Sequence, residues 1–145
     1  MLPVLCDAIT PSLLIALLAL PWFYRGGLER RRLVLLSAAQ TAVGLTATYS
    51  LMAIDNATGW WPRWGMDYST HSAFALSLAL PLVVHHHWAW VFLIGFYGLC
   101  MQLLHYHSWA DMLTTALAWA AFCLPIIYAI QQPWVKKRPS TKNTR

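Results

Sequence analysis

Between Leu33 and Val135 the chain carries a single Lys or Arg, Arg63, while every other Lys and Arg is gathered into two places. Arg25, Arg30, Arg31 and Arg32 form the first cluster, and Lys136, Lys137, Arg138, Lys142 and Arg145 form the second. The intervening chain is a succession of apolar runs. With 59% of its 145 residues hydrophobic and 10% charged, the sequence lies outside the range of an ordinary soluble domain. Lipid offers no hydrogen bonds to a free backbone, so apolar runs of about 20 residues read as membrane-crossing helices. The expected fold is all-α, a polytopic membrane bundle of about five transmembrane helices. Residues 1–132 form one transmembrane domain, and 133–145 form a basic, disordered cytoplasmic tail.

The formal net charge of +5 would suggest nucleic acid in a soluble chain, but here its placement reports topology and excludes a nucleic-acid partner. Under the positive-inside rule both basic clusters are cytoplasmic and the segment around Arg63 is outside. Span one runs from Val4 or Thr10 to Tyr24, with Pro11 near its beginning, and span two from Leu33 to Ile54. The loop Asp55 to Met66 carries Trp60, Trp61 and Trp64, an aromatic belt at the interface. Span three runs from Asp67 to Val84, His85 to His87 make a solvated inside turn, and span four runs from Trp88 to Leu104. After an outside turn from His105 to Ala110, span five runs from Asp111 to Ile130. Five spans place the N-terminus outside and the C-terminus in the cytoplasm, and the compact build suggests a bacterial inner membrane. No removable signal peptide is read at the N-terminus. Cys6, Cys100 and Cys123 have no paired spacing, so they read as buried small hydrophobes rather than a disulfide or zinc framework.

Asp67 with His71, and His107 with Asp111, each place a carboxylate and an imidazole four residues apart at a span entrance. In a helix such residues share a face, and ionisable groups at a bilayer boundary are functional candidates. An imidazole held by a carboxylate has a defined tautomer and raised basicity, suited to nucleophilic or acid-base work. Two histidines across a substrate can divide the labour between attack and protonation of the leaving group. The bland alternatives are helix capping by Asp67 and Asp111 and interfacial hydrogen bonding by His71 and His107. Gln102 either reaches this site or bonds a neighbouring helix.

The segments Tyr68-Ser69-Thr70-His71 and His107-Ser-Trp-Ala-Asp111 resemble two motifs of the integral-membrane type 2 phosphatidic acid phosphatase superfamily. Those motifs are Pro-Ser-Gly-His and the end of Ser-Arg-x5-His-x3-Asp. The resemblance implies that family's helical core and a phosphatase or phosphotransferase acting on a lipid-linked phosphate at the outer face, without a cofactor. By it His107 is the nucleophile, Asp111 its orienting carboxylate and His71 the leaving-group acid. Ser69 and the Thr70 amide then bind phosphate. Cys100 and Met101 stand where the family has Ser and Arg, and its Lys-x6-Arg-Pro segment is absent, leaving Arg63 as the candidate substitute cation.

Loss of those cations opens two other readings. Asp67, His71, His107 and Asp111, with His105 as a possible extra ligand, form a set suited to a divalent metal in a hydrolase or oxidase. Alternatively, the chain is a non-catalytic accessory subunit of a larger membrane-protein partner. The partner common to the catalytic readings is a membrane lipid or lipid-linked substrate.

Overall fold

A computed structural model describes residues 2–19, 22, 27–85 and 89–136. Residues 23–26 with Arg25, 86–88 with His86 and His87, the tail 137–145 and the Cys6 side chain lie outside the described residues. Five α-helices follow in order: α1 Leu2–Ala19, α2 Gly27–Thr58, α3 Thr70–His85, α4 Ala89–Leu103 and α5 Trp109–Lys136. A 3-10 turn, Pro62–Trp64, lies between α2 and α3, and the described residues contain no strand.

The helix ends differ from the apolar runs for local reasons. α2 begins at Gly27, six residues before the apolar run, because Glu29 and the arginines are good helix formers and an acid in the first turn suits the helix dipole. α3 begins at Thr70 rather than Asp67, since Ser69 caps it: the Ser72 amide donates to the Ser69 Oγ at 3.4 Å, and the two hydroxyls lie 2.8 Å apart. α1 runs through Pro11 instead of starting near it. The loop after α2 turns at Gly59 and Gly65, whose φ angles of 61° and 68° are left-handed.

α3 is the centre of the bundle and packs against every other helix. On one side Ile9 and Leu13 of α1, Leu78 and Leu82 of α3, and Tyr97 and Met101 of α4 form one apolar core. On the other, Ala47 and Leu51 of α2, Trp61, Tyr68, Ala73 and the α5 residues Trp119, Cys123 and Ile127 form a second. Cys100 and Cys123 are free buried thiols within these cores. The buried stripe of α2, Leu33, Ser37, Gln40, Gly44, Ala47, Leu51 and Asp55, recurs every three or four residues, as an amphipathic helix requires.

Close contact between α2 and α3 is set at Gly44 and Ser77. A Cβ at Gly44 would lie 2.8 Å from the Cβ and Oγ of Ser77 and 3.0 Å from its Cα. Small residues allow such approach, and polar groups then bond across it. The Trp119 indole donates to the Gly44 carbonyl at 3.2 Å and the Ser77 Oγ at 3.1 Å, while the Thr48 and Ser77 hydroxyls lie 3.1 Å apart. The Tyr68 hydroxyl donates to the Thr48 carbonyl at 3.0 Å. One buried cluster thus joins α2, α3, α5 and the segment before α3.

By length and composition α2 and Trp109–Gln132 of α5 are apolar enough to cross a membrane, whereas Ala8–Ala19, Thr70–Val83 and Trp90–Leu103 are apolar but shorter.

Gly44→Ala and Gly95→Ala gain the same helix propensity, yet only the first meets packed atoms, since nothing lies within 4 Å of a Cβ at Gly95. We expect Gly44→Ala to be less stable than Gly95→Ala by about 1–3 kcal/mol, read from denaturation midpoints in detergent; equal midpoints would remove the close approach.

Candidate functional site

The connection between α4 and α5 is built from two consecutive caps. α4 stops with the Tyr106 amide donating to the Met101 carbonyl at 3.0 Å and the His105 amide to the Gln102 carbonyl at 3.1 Å, a Schellman arrangement. His105 occupies its left-handed position with φ 56°, a conformation that His tolerates better than most non-glycine residues. Three residues later α5 opens with a capping box. The Ser108 amide and hydroxyl each donate to Asp111 Oδ2 at 2.7 Å, and the Asp111 amide donates back to the Ser108 Oγ at 3.2 Å. His107 sits between the two caps, so its backbone is held from both sides.

Asp111 also ties α5 to the chain entering α3. Its Oδ1 accepts the Asp67 amide at 2.8 Å, and one turn further along α5 the Thr115 Oγ1 accepts the Ser69 amide at 3.0 Å. Alternate amides of the segment 67–69 thus meet the i, i+4 pair of one helix face. This brings the start of α3, with His71 in its first turn, beside His107.

The His71 and His107 ring centroids are 6.3 Å apart with the planes inclined at 50°. Both rings line a cavity of about 340 Å³ whose other walls are Tyr97, Met101 and Tyr106. His71 and Tyr106 are exposed, whereas Tyr97 and Met101 are buried at the base. The His107 side chain is 11% exposed, and its Nδ1 is buried without a hydrogen bond. The nearest carboxylate oxygen paired with that atom is Asp67 Oδ2 at 3.9 Å, too long for a hydrogen bond. Burial pushes the His107 imidazole below its ordinary 6.5; the Asp67 and Asp111 carboxylates oppose this and His71 adds to it. The ring is therefore neutral near pH 7, with its lone pair available as nucleophile, base or ligand.

The residues singled out from the sequence divide into two groups. His71 and His107 come together at the cavity, and Asp67, exposed and not a wall of it, lies 3.9 Å from His107 Nδ1. Asp111 is buried, and its oxygens are taken by the amides of Asp67 and Ser108 and the Ser108 hydroxyl rather than by His107. Its i, i+4 relation to His107 is not a helical face, because α5 begins at Trp109. Asp67 and His71 likewise straddle the start of α3. Ser69 is fully buried as a cap, and the Thr70 amide donates to the Tyr68 carbonyl at 3.1 Å. Arg63 is exposed on the 3-10 turn and is not among the cavity walls. His105 is exposed and serves as the α4 cap, and Gln102 has a buried Oε1 without a partner. Among the described residues no three His, Cys, Asp or Glu side chains are grouped to hold a metal ion.

Sequence reasoning did not pick out Tyr97 or Tyr106 as walls. The signal for Tyr97 was its position one helical turn before Met101, on the same face of α4. No protein-family model, curated protein or solved structure matches the chain.

Replacing Asp111 by Ala removes three accepted hydrogen bonds and leaves the Asp67 amide without its partner. The expected loss is about 2–4 kcal/mol of stability, with Asp111→Asn losing less because it keeps one acceptor; equal stability of Asp111→Ala and wild type would refute the clamp. For His107 the sign follows from its lowered pKa. The unfolded chain takes up this proton below about pH 6.5 and the folded chain only at lower pH, so folding stability falls as pH drops through that window. His107→Gln removes this contribution. The melting temperature of wild type relative to His107→Gln is therefore expected to fall as pH is lowered from 7.5 to about 5, and a flat difference would contradict burial of the imidazole.

Proposed function

We propose that this chain is a membrane protein that hydrolyses or transfers the phosphoryl group of a lipid-linked phosphate at the membrane-water boundary. The observation carrying this reading is the pair of imidazoles facing one cavity at the starts of two helices. His107, kept neutral by burial, attacks phosphorus, and the phosphorus-oxygen bond to the lipid breaks. His71, as the leaving-group acid, gives a proton to the leaving oxygen and takes one back from the water or hydroxyl of the next step. Water then attacks the phosphohistidine, releasing phosphate and restoring His107; in a transferase an acceptor hydroxyl takes the place of water. This division of roles agrees with the resemblance of 68–71 and 107–111 to the type 2 phosphatidic acid phosphatase superfamily.

Phosphoryl transfer depends mainly on positioning and charge stabilisation. Among the described residues no Lys or Arg lines the cavity, and Met101 stands where that family has Arg. The start of α3 supplies partial positive charge through its helix dipole instead, whereas the α5 start is already capped by the Asp111 carboxylate. Arg63, exposed on the 3-10 turn, is not among the cavity walls. Asp111, Ser69 and Thr70 act in this scheme by holding the two histidines, not by touching phosphate.

The topology belonging to this reading has five spans, an outside N-terminus, a cytoplasmic C-terminus and a bacterial inner-membrane location. Its loop tryptophans and the His cavity lie at the outer face. α3 and α4, with 16 and 15 residues, are about 24 and 22 Å long at 1.5 Å per residue, so they cross where the bilayer is thinned.

A second reading is favoured by one observation: the polar groups that most resemble catalytic ones, Asp111 and Ser69, are spent on helix caps. On it the chain is a non-catalytic subunit that keeps the scaffold for a larger membrane partner. A metal-dependent hydrolase, with Asp67, His71, His107 and Asp111 as ligands, is the third.

Phosphate release from lipid phosphates by the purified protein separates them. The phosphohistidine reading expects release that resists chelator, disappears in His107→Ala and drops about 10²- to 10⁴-fold in His71→Ala. Release that stops with chelator selects the metal. Absence of release, with stable co-purification of a larger membrane protein that survives His107→Ala, selects the accessory role.

A further inference from the structure

A second cavity, of about 570 Å³, lies on the other side of the segment 66–69 from the two histidines. Met66 lines it, while the next residue, Asp67, directs its carboxylate to His107; consecutive residues of an extended segment point to opposite sides. Its size falls within the roughly 300–1,000 Å³ of small-molecule sites. Thr114, Ala118 and Ala121 form its floor along one face of α5, where small side chains leave depth, and α2 and the tryptophan loop form its walls.

The chemistry of this lining selects an occupant. Trp61 is anchored by its amide to Asp55 Oδ1 at 2.8 Å, and its indole donates to the Thr114 Oγ1 at 3.0 Å. Thr114 in turn donates to the Ala110 carbonyl at 2.7 Å. The polar atoms of these two walls are thus engaged with each other or with the backbone. A peptide entering the groove would leave its own amides unpaired, at a cost of several kcal/mol each in an apolar setting. A hydrocarbon chain has no such groups. Arg63, the one Lys or Arg between Leu33 and Val135, is not itself a lining residue but is exposed on the 3-10 turn between Trp61 and Trp64, which are.

We infer that this groove holds one aliphatic chain of an anionic bilayer phospholipid whose phosphate lies at Arg63. The inference rests on the membrane location proposed above but not on phosphoryl transfer, since the groove shares none of its lining residues with the histidine cavity. The tryptophans give the chain a rigid apolar wall, and the cation sets the headgroup. The bound lipid fills the space between α2 and α5 and braces the loop whose other end carries Asp67.

The test uses the full chain in nanodiscs containing phosphatidylglycerol with a photoactivatable diazirine in one acyl chain, and phosphatidylcholine with the same chain for comparison. Cross-linked residues are mapped by mass spectrometry. Adducts are expected in 60–66 and 114–122 in excess over those on the exposed α4 residues Phe92 and Phe96. Ala118→Trp, and separately Ala121→Trp in case the first does not fold, fill the groove and should reduce these adducts to the α4 level while α4 labelling is unchanged. Arg63→Gln should lower the preference for phosphatidylglycerol about fivefold, the effect of one cation near a membrane surface, without abolishing labelling by phosphatidylcholine. His107→Ala should leave the adducts unchanged, so that failure here and failure of the phosphatase reading are separate results. Labelling of 60–66 and 114–122 no stronger than on α4, indifferent to Ala118→Trp and Ala121→Trp, would overturn the inference. Cross-links between two copies through these segments would overturn it in favour of a second copy as the occupant.

Discussion

Everything at the candidate site depends on two hydrogen bonds in which one face of α5 receives the backbone entering α3. Asp111 and Thr115 accept the amides of Asp67 and Ser69, and the first is charge-assisted, the stronger kind. Amides at the start of a helix have no intrahelical partner, so this segment would otherwise carry unpaired donors into a buried place. The clamp satisfies them and fixes the relative position of two helix starts. His71 and His107 then meet because each lies within two residues of a capping serine, Ser69 or Ser108.

The same economy explains why the histidine cavity contains so little charge. Asp111 accepts three hydrogen bonds, from two amides and a hydroxyl, and none of them comes from His107. The imidazole is instead oriented by its backbone, which is confined between the α4 stop at His105 and the α5 start at Ser108. Burial leaves it neutral, and the nearby Asp67 carboxylate is too exposed and too far to dominate. Among the described residues the walls of this space carry no Lys or Arg. The apolar cavity across the segment 66–69 has the opposite character, with no ionisable group among its walls. One short stretch of chain therefore separates a polar pocket from a hydrocarbon-like one.

Several features were legible before any coordinates. Apolar run lengths and the segregation of basic residues pointed to an all-helical chain with connections at 55–66 and 105–110; five helices lie at those runs, with α2 running on to Thr58, α4 stopping at Leu103 and α5 starting at Trp109. His71 and His107 were picked out by their positions at the entrances of two runs, and they share a cavity. The reading of Asp67 and Asp111 as cap residues, weighed against a catalytic one, holds for Asp111 through its capping box with Ser108. His105, considered as a metal ligand, is a backbone device: its φ is positive because the α4 stop needs a left-handed residue and no glycine is present. Spacing of four residues suggested a shared helical face for both acid-imidazole pairs, but a cap lies between the members of each pair, and a cap interrupts the helical register.

The amino-acid sequence by itself determined which stretches form helices, and that Asp67, His71, His107 and Asp111 fall near the starts of two of them. Hydrophobic length, capping residues and glycines are local properties, and local physics is sufficient to express them. Only the tertiary structure decided that α3 lies at the centre, that Gly44 admits Ser77, and that Asp111 spends its oxygens on the chain before α3. Those outcomes depend on which donors and acceptors meet across helices, and a carboxylate can accept from an imidazole or from an amide with similar ease. Its partner is set by which group the packing of α3 against α5 brings within reach.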